Sequence, residues 1–158
     1  MDAARLAGHM GDGVHAVLTA SMLRQAGAHS DEGARLVKAL AEQSTHGSGT
    51  RVVLGQWIEG GGYIAEAQKN GGIYYETASG VYDALGRNDA LAWASNEQFL
   101  RNQLEAGVSR IDFVGQSIKD VLDNAEGTFR WKEVNWLLDN AEKYGYKLVG
   151  NSWVKVAP

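Results

Sequence analysis

The sequence predicts an α/β (or α+β) fold. Helical residues 1–49 precede a single domain over 50–158, in which helices flank a central sheet that ends in a C-terminal hairpin. Three observations lead to this expectation. Apolar positions recur at helical spacing before residue 47, β-prone runs alternate with helical stretches after residue 50, and Gly150-Asn151-Ser152 separates two short β-prone runs. A length of 158 residues suits one well-cored domain with a short extension.

The N-terminal segment carries two amphipathic patterns separated by turn residues. Gly27 and Ser30-Asp31 interrupt the apolar period, so we expect one helix on each side of them. Gly47-Ser48-Gly49 has the composition of a flexible joint and sets the predicted boundary near residue 50. The apolar positions of the two patterns are Val14, Val17, Leu18, Met22 and Leu23, followed by Leu36, Val37, Leu40 and Ala41.

The rest of the chain alternates between strand and helix patterns. Helix 89–106 has the strongest pattern and is followed by the stop signal Gly107. Strands separated by helices can pair in parallel, whereas the two strands of a hairpin are antiparallel. The predicted strands are 51–55, 73–76, 111–115, 146–149 and 153–156, and the predicted helices are 63–69, 79–85, 89–106 and 129–143.

The composition excludes several kinds of chemistry. The chain has no cysteine, so thiol nucleophiles and zinc–thiolate sites are ruled out, and neither a metal nor a cofactor is predicted. No histidine follows residue 46, so the chemistry of residues 50–158 must come from carboxylates, Lys, Arg, Tyr, Ser, Thr or a metal. The net charge of −4 disfavours broad binding to nucleic acid, although a local basic patch would suffice. The four histidines are His9, His15, His29 and His46.

Two further features concern the membrane and export. No apolar run approaches the roughly 18 residues that a membrane span requires, so the mature chain is not expected to lie in a bilayer. The N-terminus lacks the basic-then-apolar order of a secretory signal, so an export signal would belong to a longer parent chain or be absent.

The densest polar cluster, residues 128–133, lies at the start of the last long predicted helix. Helical spacing puts Arg130 and Glu133 on neighbouring rows, and Thr128 and Arg130 lie near a helix N-terminus, which favours phosphate. The cluster therefore predicts an anion site with an adjacent carboxylate. A solvated first turn with an Arg–Glu pair is the alternative interpretation. We expect catalysis to involve Glu133, Arg130, Lys132 and Thr128.

Aromatic side chains provide candidates for stacking on a base or a nicotinamide ring. Trp93 and Trp136 lie in patterned helices and are expected to pack in the core. Trp57 and Trp131 stand beside polar loop or helix-start residues and are predicted to contact substrate. Gly60-Gly61-Gly62 lacks a dinucleotide-binding or Walker pattern and is interpreted as a flexible connection.

Two acidic residues outside that helix are also candidates. Asp112 alternates with Ile111 and Phe113 on a strand, so it points to the opposite face and is either catalytic or, more in keeping with the pattern, solvent-facing. Glu76 and Asp112 could meet if their strands were neighbours. No acidic pair is placed convincingly for a metal-dependent nuclease.

Short pieces of sequence from residue 51 onward form a recognisable pattern. This pattern resembles the C-terminal toxin modules of contact-dependent inhibition and Rhs-type exoproteins. The helical segment before residue 47 would then resemble the part of such a toxin that precedes the catalytic module and assists entry. The pieces are Val53-Leu54-Gly55, Tyr63 with Ala67, Gly71-Gly72-Ile73-Tyr74-Tyr75, Trp93 with Asn96 and Phe99-Leu100, Gly107, Gly127-Thr128 with Glu133 and Leu137, and Gly145-Tyr146.

The resemblance implies a poison that is carried to the cell surface in a large exoprotein, acts in the cytoplasm of the target cell and is neutralised by a cognate immunity protein. Cleavage of transfer RNA is the commonest activity of such toxins and frequently needs neither metal nor histidine, so it is the first prediction. The basic contacts to tRNA would come from Arg51, Arg130, Lys132 and Lys119, with Trp57 and Trp131 beside them.

Two other functions remain open from the sequence. Gly127-Thr128-Phe129 followed by Glu133-Val134 is similar to the segment that bears the catalytic glutamate of ADP-ribosyl cyclases and NAD glycohydrolases. NAD is therefore the alternative substrate, and it agrees better with the tryptophans and the acidic net charge. The third interpretation is a non-enzymatic interaction module that binds a partner through the N-terminal helices.

Overall fold

The computed structural model describes residues 3–156, with side chains from residue 13 onward. Within these residues it has seven α-helices, one 3₁₀ turn and six strands, so the predicted α/β fold with a helical N-terminal part is confirmed. The helices are α1 (Ala3–Ala26), α2 (Asp31–Gln43), α3 (Gly62–Asn70), α4 (Val81–Ala84), α5 (Asp89–Ala106), α6 (Ile118–Asn124) and α7 (Phe129–Asn140), with the 3₁₀ turn at Ala141–Tyr144. The strands are β1 (Thr45–Ser48), β2 (Arg51–Gly55), β3 (Gly72–Tyr75), β4 (Arg110–Val114), β5 (Tyr146–Val149) and β6 (Ser152–Lys155).

The chain forms two compact units, and the first combines the N-terminal helices with a later segment. Within the described residues it comprises 3–45 and 75–99. The side chain of Ser30 caps α2 by accepting a hydrogen bond from the Gly33 amide, at 2.9 Å. Apolar residues of α1 and α2 pack against residues of α4 and α5. The buried core consists of Ala16, Ala20, Leu23, Val37, Leu40, Val81, Leu85 and Leu91.

This grouping differs from a division of the chain at residue 50. The two N-terminal helices do not close a core alone, because part of their apolar surface is covered by Val81, Leu85 and Leu91. The assignment of entry to residues 1–49 and catalysis to 50–158 stays a prediction.

The second unit comprises residues 46–74 and 100–156 of the described chain and contains the sheet. The strand order is β1-β3-β2-β4-β6-β5. β2 is parallel to both β3 and β4, while β6 is antiparallel to both β4 and β5. The early strands are therefore parallel, a pairing that the sequence allowed, and the predicted terminal hairpin is confirmed.

The two faces of this sheet carry different side chains. Because Arg51 pairs in register with Arg110 and Val53 with Asp112, these residues share one face, which we call the α3 face. There α3 packs Ala67 against Val53. The opposite face, which we call the α7 face, carries the alternating buried residues Val52, Leu54, Ile111, Phe113 and Trp153.

Two local predictions need correction, and one helix was not predicted. Residues 45–48 are a strand beside β3, although Gly47-Ser48-Gly49 was expected to be a flexible joint. Helix α6 was not predicted, because only seven residues give too short an apolar period. The last long helix ends at Asn140 and continues as a 3₁₀ turn, closed by Gly145 in the left-handed conformation with φ of 91°.

Candidate functional site

The strand order creates a topological switch between β2 and β4. From β2 the chain crosses to β3 on one side, and β4 then joins β2 on the other side. In open α/β sheets, ligands bind in the crevice outside the carboxyl ends of the strands at such a point. The residues that follow Gly55 of β2 and Val114 of β4 therefore form the candidate site.

A glycine-rich loop joins the end of β2 to α3. The Gly61 amide donates to the carbonyl of Ile58 at 3.0 Å, which closes a turn. Gly62 has φ of 63°, and a Cβ there would lie 2.4 Å from the Gln56 carbonyl oxygen. The loop folds back on its own backbone and requires glycine at this position, so these glycines are more than the flexible connection expected from sequence.

The N-terminus of α3 lies at this edge of the sheet without a side-chain cap. Its N-cap residue is Gly61, which has no side chain to accept hydrogen bonds. The first-turn amides, those of Gly62 and Ile64 among them, have no acceptor within the helix. A Cβ at Gly55 would lie 3.3 Å from the Cβ of Tyr63, so the first turn of α3 is close to the end of β2. Such a turn favours a phosphate group.

Arg130 is held at the same edge by a residue that follows β4. Its Nε donates to Oε1 of Gln116 at 3.0 Å, and Nε2 of Gln116 donates to Asp120 at 2.6 Å. Hydrogen bonds from Gln116 and Asn124 lower the pKa of Asp120 below its usual value. Gln116 thus orients Arg130, whose Nη groups make no hydrogen bond to a described residue and remain available for an anion.

The rest of the Thr128–Glu133 cluster has mixed roles. The hydroxyl of Thr128 caps α7 by accepting from the Trp131 amide at 3.2 Å, and it donates to the Ala125 carbonyl at 2.6 Å. The ammonium of Lys132 lies 5.2 Å from the centre of the Phe129 ring. Glu133 is 7% exposed and lies one turn beyond Arg130. Thr128 therefore has a structural role, while Arg130 and Glu133 are the residues best placed for chemistry.

The two tryptophans predicted to contact substrate differ in exposure. Trp57 follows β2 in the glycine-rich loop and is 58% exposed, so its ring is accessible at the candidate site. Trp131 is half-buried in the first turn of α7. An exposed indole beside a phosphate-binding helix end can stack on a nucleotide base.

Arg51 lies at the amino end of β2, away from this edge, and is engaged in a network on the α3 face. Its Nε donates to Oδ2 of Asp112 at 2.5 Å, and its Nη atoms bond Glu66 at 3.2 Å and the Gly71 carbonyl at 3.0 Å. The hydrogen bond with Asp112 raises the pKa of Arg51. Arg51 is structural in this arrangement.

Asp112 is the centre of that network. Besides Arg51, it accepts from Arg110 Nε at 2.8 Å and from the Ser152 hydroxyl at 2.5 Å. Burial acts to raise the pKa of Asp112, but the hydrogen bonds from Ser152, Arg51 and Arg110 outweigh it and lower the pKa. The expectation that Asp112 faces solvent was wrong, because three donors hold it in a largely buried position.

Two other predicted contacts lie elsewhere. Lys119 is exposed on α6 and pairs with Asp123 at 2.8 Å. The suggestion that Glu76 meets Asp112 across adjacent strands was wrong, because β2 lies between β3 and β4.

Sequence reasoning missed Gln116. Its signal was the run Gly115-Gln116-Ser117 directly after a strand, followed three residues later by Asp120 in the pattern of a helix cap. Ser117 does cap α6, accepting from the Asp120 amide at 3.0 Å.

Comparisons of the chain with protein-family models, curated proteins and solved structures give no match, so its function must be inferred from its own geometry. The residues whose side chains are described contain no group of three or more acidic or histidine side chains arranged to hold a metal ion. Among the described helices, none is long and apolar enough to cross a membrane.

Proposed function

We propose that this chain is an interbacterial toxin enzyme that consumes NAD. The observation that carries the proposal is the uncapped, glycine-led N-terminus of α3 at the β2–β4 switch point. The pyrophosphate of NAD would accept hydrogen bonds from the first-turn amides of α3. Trp57, which is exposed, would stack on one of the rings, and Arg130 would contact a phosphate.

The reaction breaks the bond between C1′ of the ribose and N1 of the nicotinamide. The bonding electrons pass to the positively charged ring, which leaves as neutral nicotinamide. Water adds its hydroxyl to C1′ and releases a proton, which gives ADP-ribose. The carboxylate of Glu133 would stabilise the positive charge that develops on the ribose and orient the incoming water.

The interactions that the basic residues already make favour NAD over transfer RNA as the substrate. Of the four predicted to contact RNA, Arg51 is bonded to Asp112 and Glu66, and Lys119 is paired with Asp123. Lys132 lies over the Phe129 ring, and Arg130 keeps hydrogen-bonding groups directed at no described residue. Arg130 and Lys132 together, on a chain of net charge −4, are a small basic surface for a polyanion.

The direct test offers both substrates to the purified full chain. Nicotinamide and ADP-ribose are quantified by chromatography after incubation with NAD, and total tRNA is incubated in parallel and analysed on a denaturing gel without added metal. We expect NAD to be consumed while tRNA stays intact. Shortened tRNA beside intact NAD would replace this proposal with the ribonuclease.

Two variants on α7 assign the activity to this site. Glu133→Gln removes the carboxylate and should lower turnover by about a hundredfold or more, the usual size of such a contribution. Asp139→Asn is the matched control, because it makes the same change on an exposed residue of the same helix and should leave turnover unchanged. Full turnover in folded Glu133→Gln would remove the catalytic role of this residue.

Delivery by an exoprotein and neutralisation by an immunity protein belong to the same proposal. Expressed inside a bacterium, the chain should stop growth, and a small protein encoded directly downstream should restore it. Normal growth at verified expression would rule out the toxin function.

A further inference from the structure

Among the described strands, β5 is at one end of the sheet and pairs on one side only, with β6. Val156 donates its amide to the Gly145 carbonyl at 2.9 Å, so the pair Gly145–Val156 is hydrogen-bonded. In antiparallel strands such pairs alternate, so the next bonded pair of the β5–β6 register is Lys147–Val154. The N–H and C=O groups of Tyr146 and Leu148 therefore point away from β6, toward the open edge of the sheet.

An apolar groove runs beside this open edge. It has a volume of about 480 Å³ and lies between the end of α7 and the hairpin. Several of its apolar side chains are unusually exposed, with Leu138 at 42%, Leu148 at 40% and Val156 at 44%. Its lining residues are Leu137, Leu138, Glu142, Gly145, Tyr146, Lys147, Leu148, Trp153 and Val156.

Natural proteins protect edge strands with charge, bulges or a covering element, because an exposed edge invites pairing with another chain. On β5 the exposed residues are Lys147, Leu148 and Val149, the last of which is 57% exposed. We propose that β5 and its groove bind an extended segment of a second protein, which adds a strand to the sheet.

The charges at the edge define the chemistry of that segment. Side chains of an added strand alternate between the two faces. On the α7 face they would enter the groove, where Leu148 and Leu138 require apolar groups and the bordering carboxylate of Glu142 disfavours an acid. On the α3 face the neighbour is Lys147, which has no ion-pair partner among the described residues and would pair with an acidic side chain.

A second copy of this chain fits the edge poorly. Two β5 strands related by a two-fold axis through Lys147 would place like charges directly opposite one another, which is destabilising. An axis through Leu148 avoids this contact but sets Lys147 opposite Val149 of the second copy, so no acidic side chain meets Lys147. The occupant is therefore a different protein, with apolar residues on one face of its strand and an acid on the other.

The probe is the blocked hexapeptide Thr-Leu-Glu-Val-Thr-Leu, compared with the composition-matched isomer Leu-Leu-Val-Thr-Glu-Thr, which does not alternate. Binding to the full chain is followed by titration in NMR spectra and by amide hydrogen exchange. We expect the alternating peptide alone to bind and to slow exchange at Tyr146 and Leu148. The amides of Lys147 and Val149 should change little, because they already face β6.

Variants separate the two faces of the interaction. Lys147→Glu should weaken binding by about fivefold, because an attractive cross-strand pair becomes repulsive. Its control is Lys69→Glu, the same change at an exposed position on α3, which should bind as the unmodified chain does. Leu148→Asp and, independently, Leu138→Asp should each weaken binding more than tenfold. Leu138 lies on α7, so its effect is separate from the pairing of β5.

Several outcomes would overturn the proposal. These are equal binding of the isomer, protection at amides outside β5, or unchanged binding by folded Lys147→Glu and Leu138→Asp. A second copy of the chain would be the occupant instead if two results were found together. Without peptide, hydrogen exchange at the amides of Tyr146 and Leu148 would slow as the protein concentration rises, and sedimentation would show a dimer. These results do not depend on whether NAD is the substrate.

Discussion

Replacing Asp112 with alanine removes the common acceptor of the network on the α3 face. Its carboxylate receives hydrogen bonds from Arg51, Arg110 and Ser152, and it is 8% exposed. In the variant, Arg51 keeps its hydrogen bonds to Glu66 and to the Gly71 carbonyl. It loses the hydrogen bond to Asp112, which is the shortest of the three. The side chain of Arg110 is 48% exposed and can be rehydrated.

These differences set the size of the expected effect. A hydrogen bond to a charged group contributes about 1.5–3 kcal/mol, and the full cost applies only where the remaining partner stays buried. Arg51 is the more buried of the two arginines, at 26% side-chain exposure, and it accounts for most of the loss. We expect Asp112→Ala to lower the free energy of unfolding by about 2–3 kcal/mol, and Asp112→Asn by roughly half of that, because one acceptor oxygen remains.

Urea unfolding followed by tryptophan fluorescence measures this loss, and Trp153 offers a buried reporter next to Ser152. The free energy of unfolding of a small protein falls by about 1–3 kcal/mol per M of urea. The urea concentration at the unfolding midpoint should therefore be lower for Asp112→Ala by on the order of 1 M. The control is Asp83→Asn, which breaks an ion pair with Arg87 whose side chains are 68% and 74% exposed, and it should leave the midpoint unchanged. A loss below about 0.5 kcal/mol for Asp112→Ala would refute the reasoning, since that is the range of ordinary surface substitutions.

The same carboxylate predicts a dependence on pH. The pKa of Asp112 is lower in the folded chain than its ordinary value near 3.9, so its ionised form stabilises the fold at higher pH. This stabilisation is present above the unfolded pKa and is lost as the pH falls through the folded pKa. The difference in unfolding free energy between the unmodified chain and Asp112→Asn should therefore shrink below about pH 4. A difference that stays constant over this range would contradict the assignment.

Three further predictions concern the carboxyl edge of the sheet. Gly62→Ala should displace the glycine-rich loop and raise the KM for NAD severalfold, because the new Cβ would lie 2.4 Å from the Gln56 carbonyl; unchanged kinetics would contradict the proposed phosphate contact. Thr128→Ala should cost about 1 kcal/mol in urea unfolding while Thr128→Ser costs little, as expected for a helix cap. Gln116→Met should raise KM more than it lowers kcat, because Arg130 loses its tether at 3.0 Å, and an equal effect on both constants would indicate a different role.

Several parts of the site could be predicted because they depend on neighbours in sequence. The start of α7 follows from Thr128, whose side chain reaches an amide three residues later, and the end of α5 follows from Gly107. Asp112 was different, because the residues that bury it lie 40 and 61 positions away in the chain, and no local pattern contains them.

The sequence by itself determined the element types, the helical N-terminal part, the C-terminal hairpin and the absence of thiol chemistry, since each depends on composition or on spacing within one element. Only the tertiary structure decided the strand order, and with it which loops meet at the β2–β4 switch point. It also showed that Arg51 is held by Asp112, whereas Arg130 is tethered by Gln116 and its Nη groups bond no residue that the structure describes. The physical reason is that periodicity reports which face of an element is apolar, whereas the choice of partner depends on contacts between residues far apart in the chain.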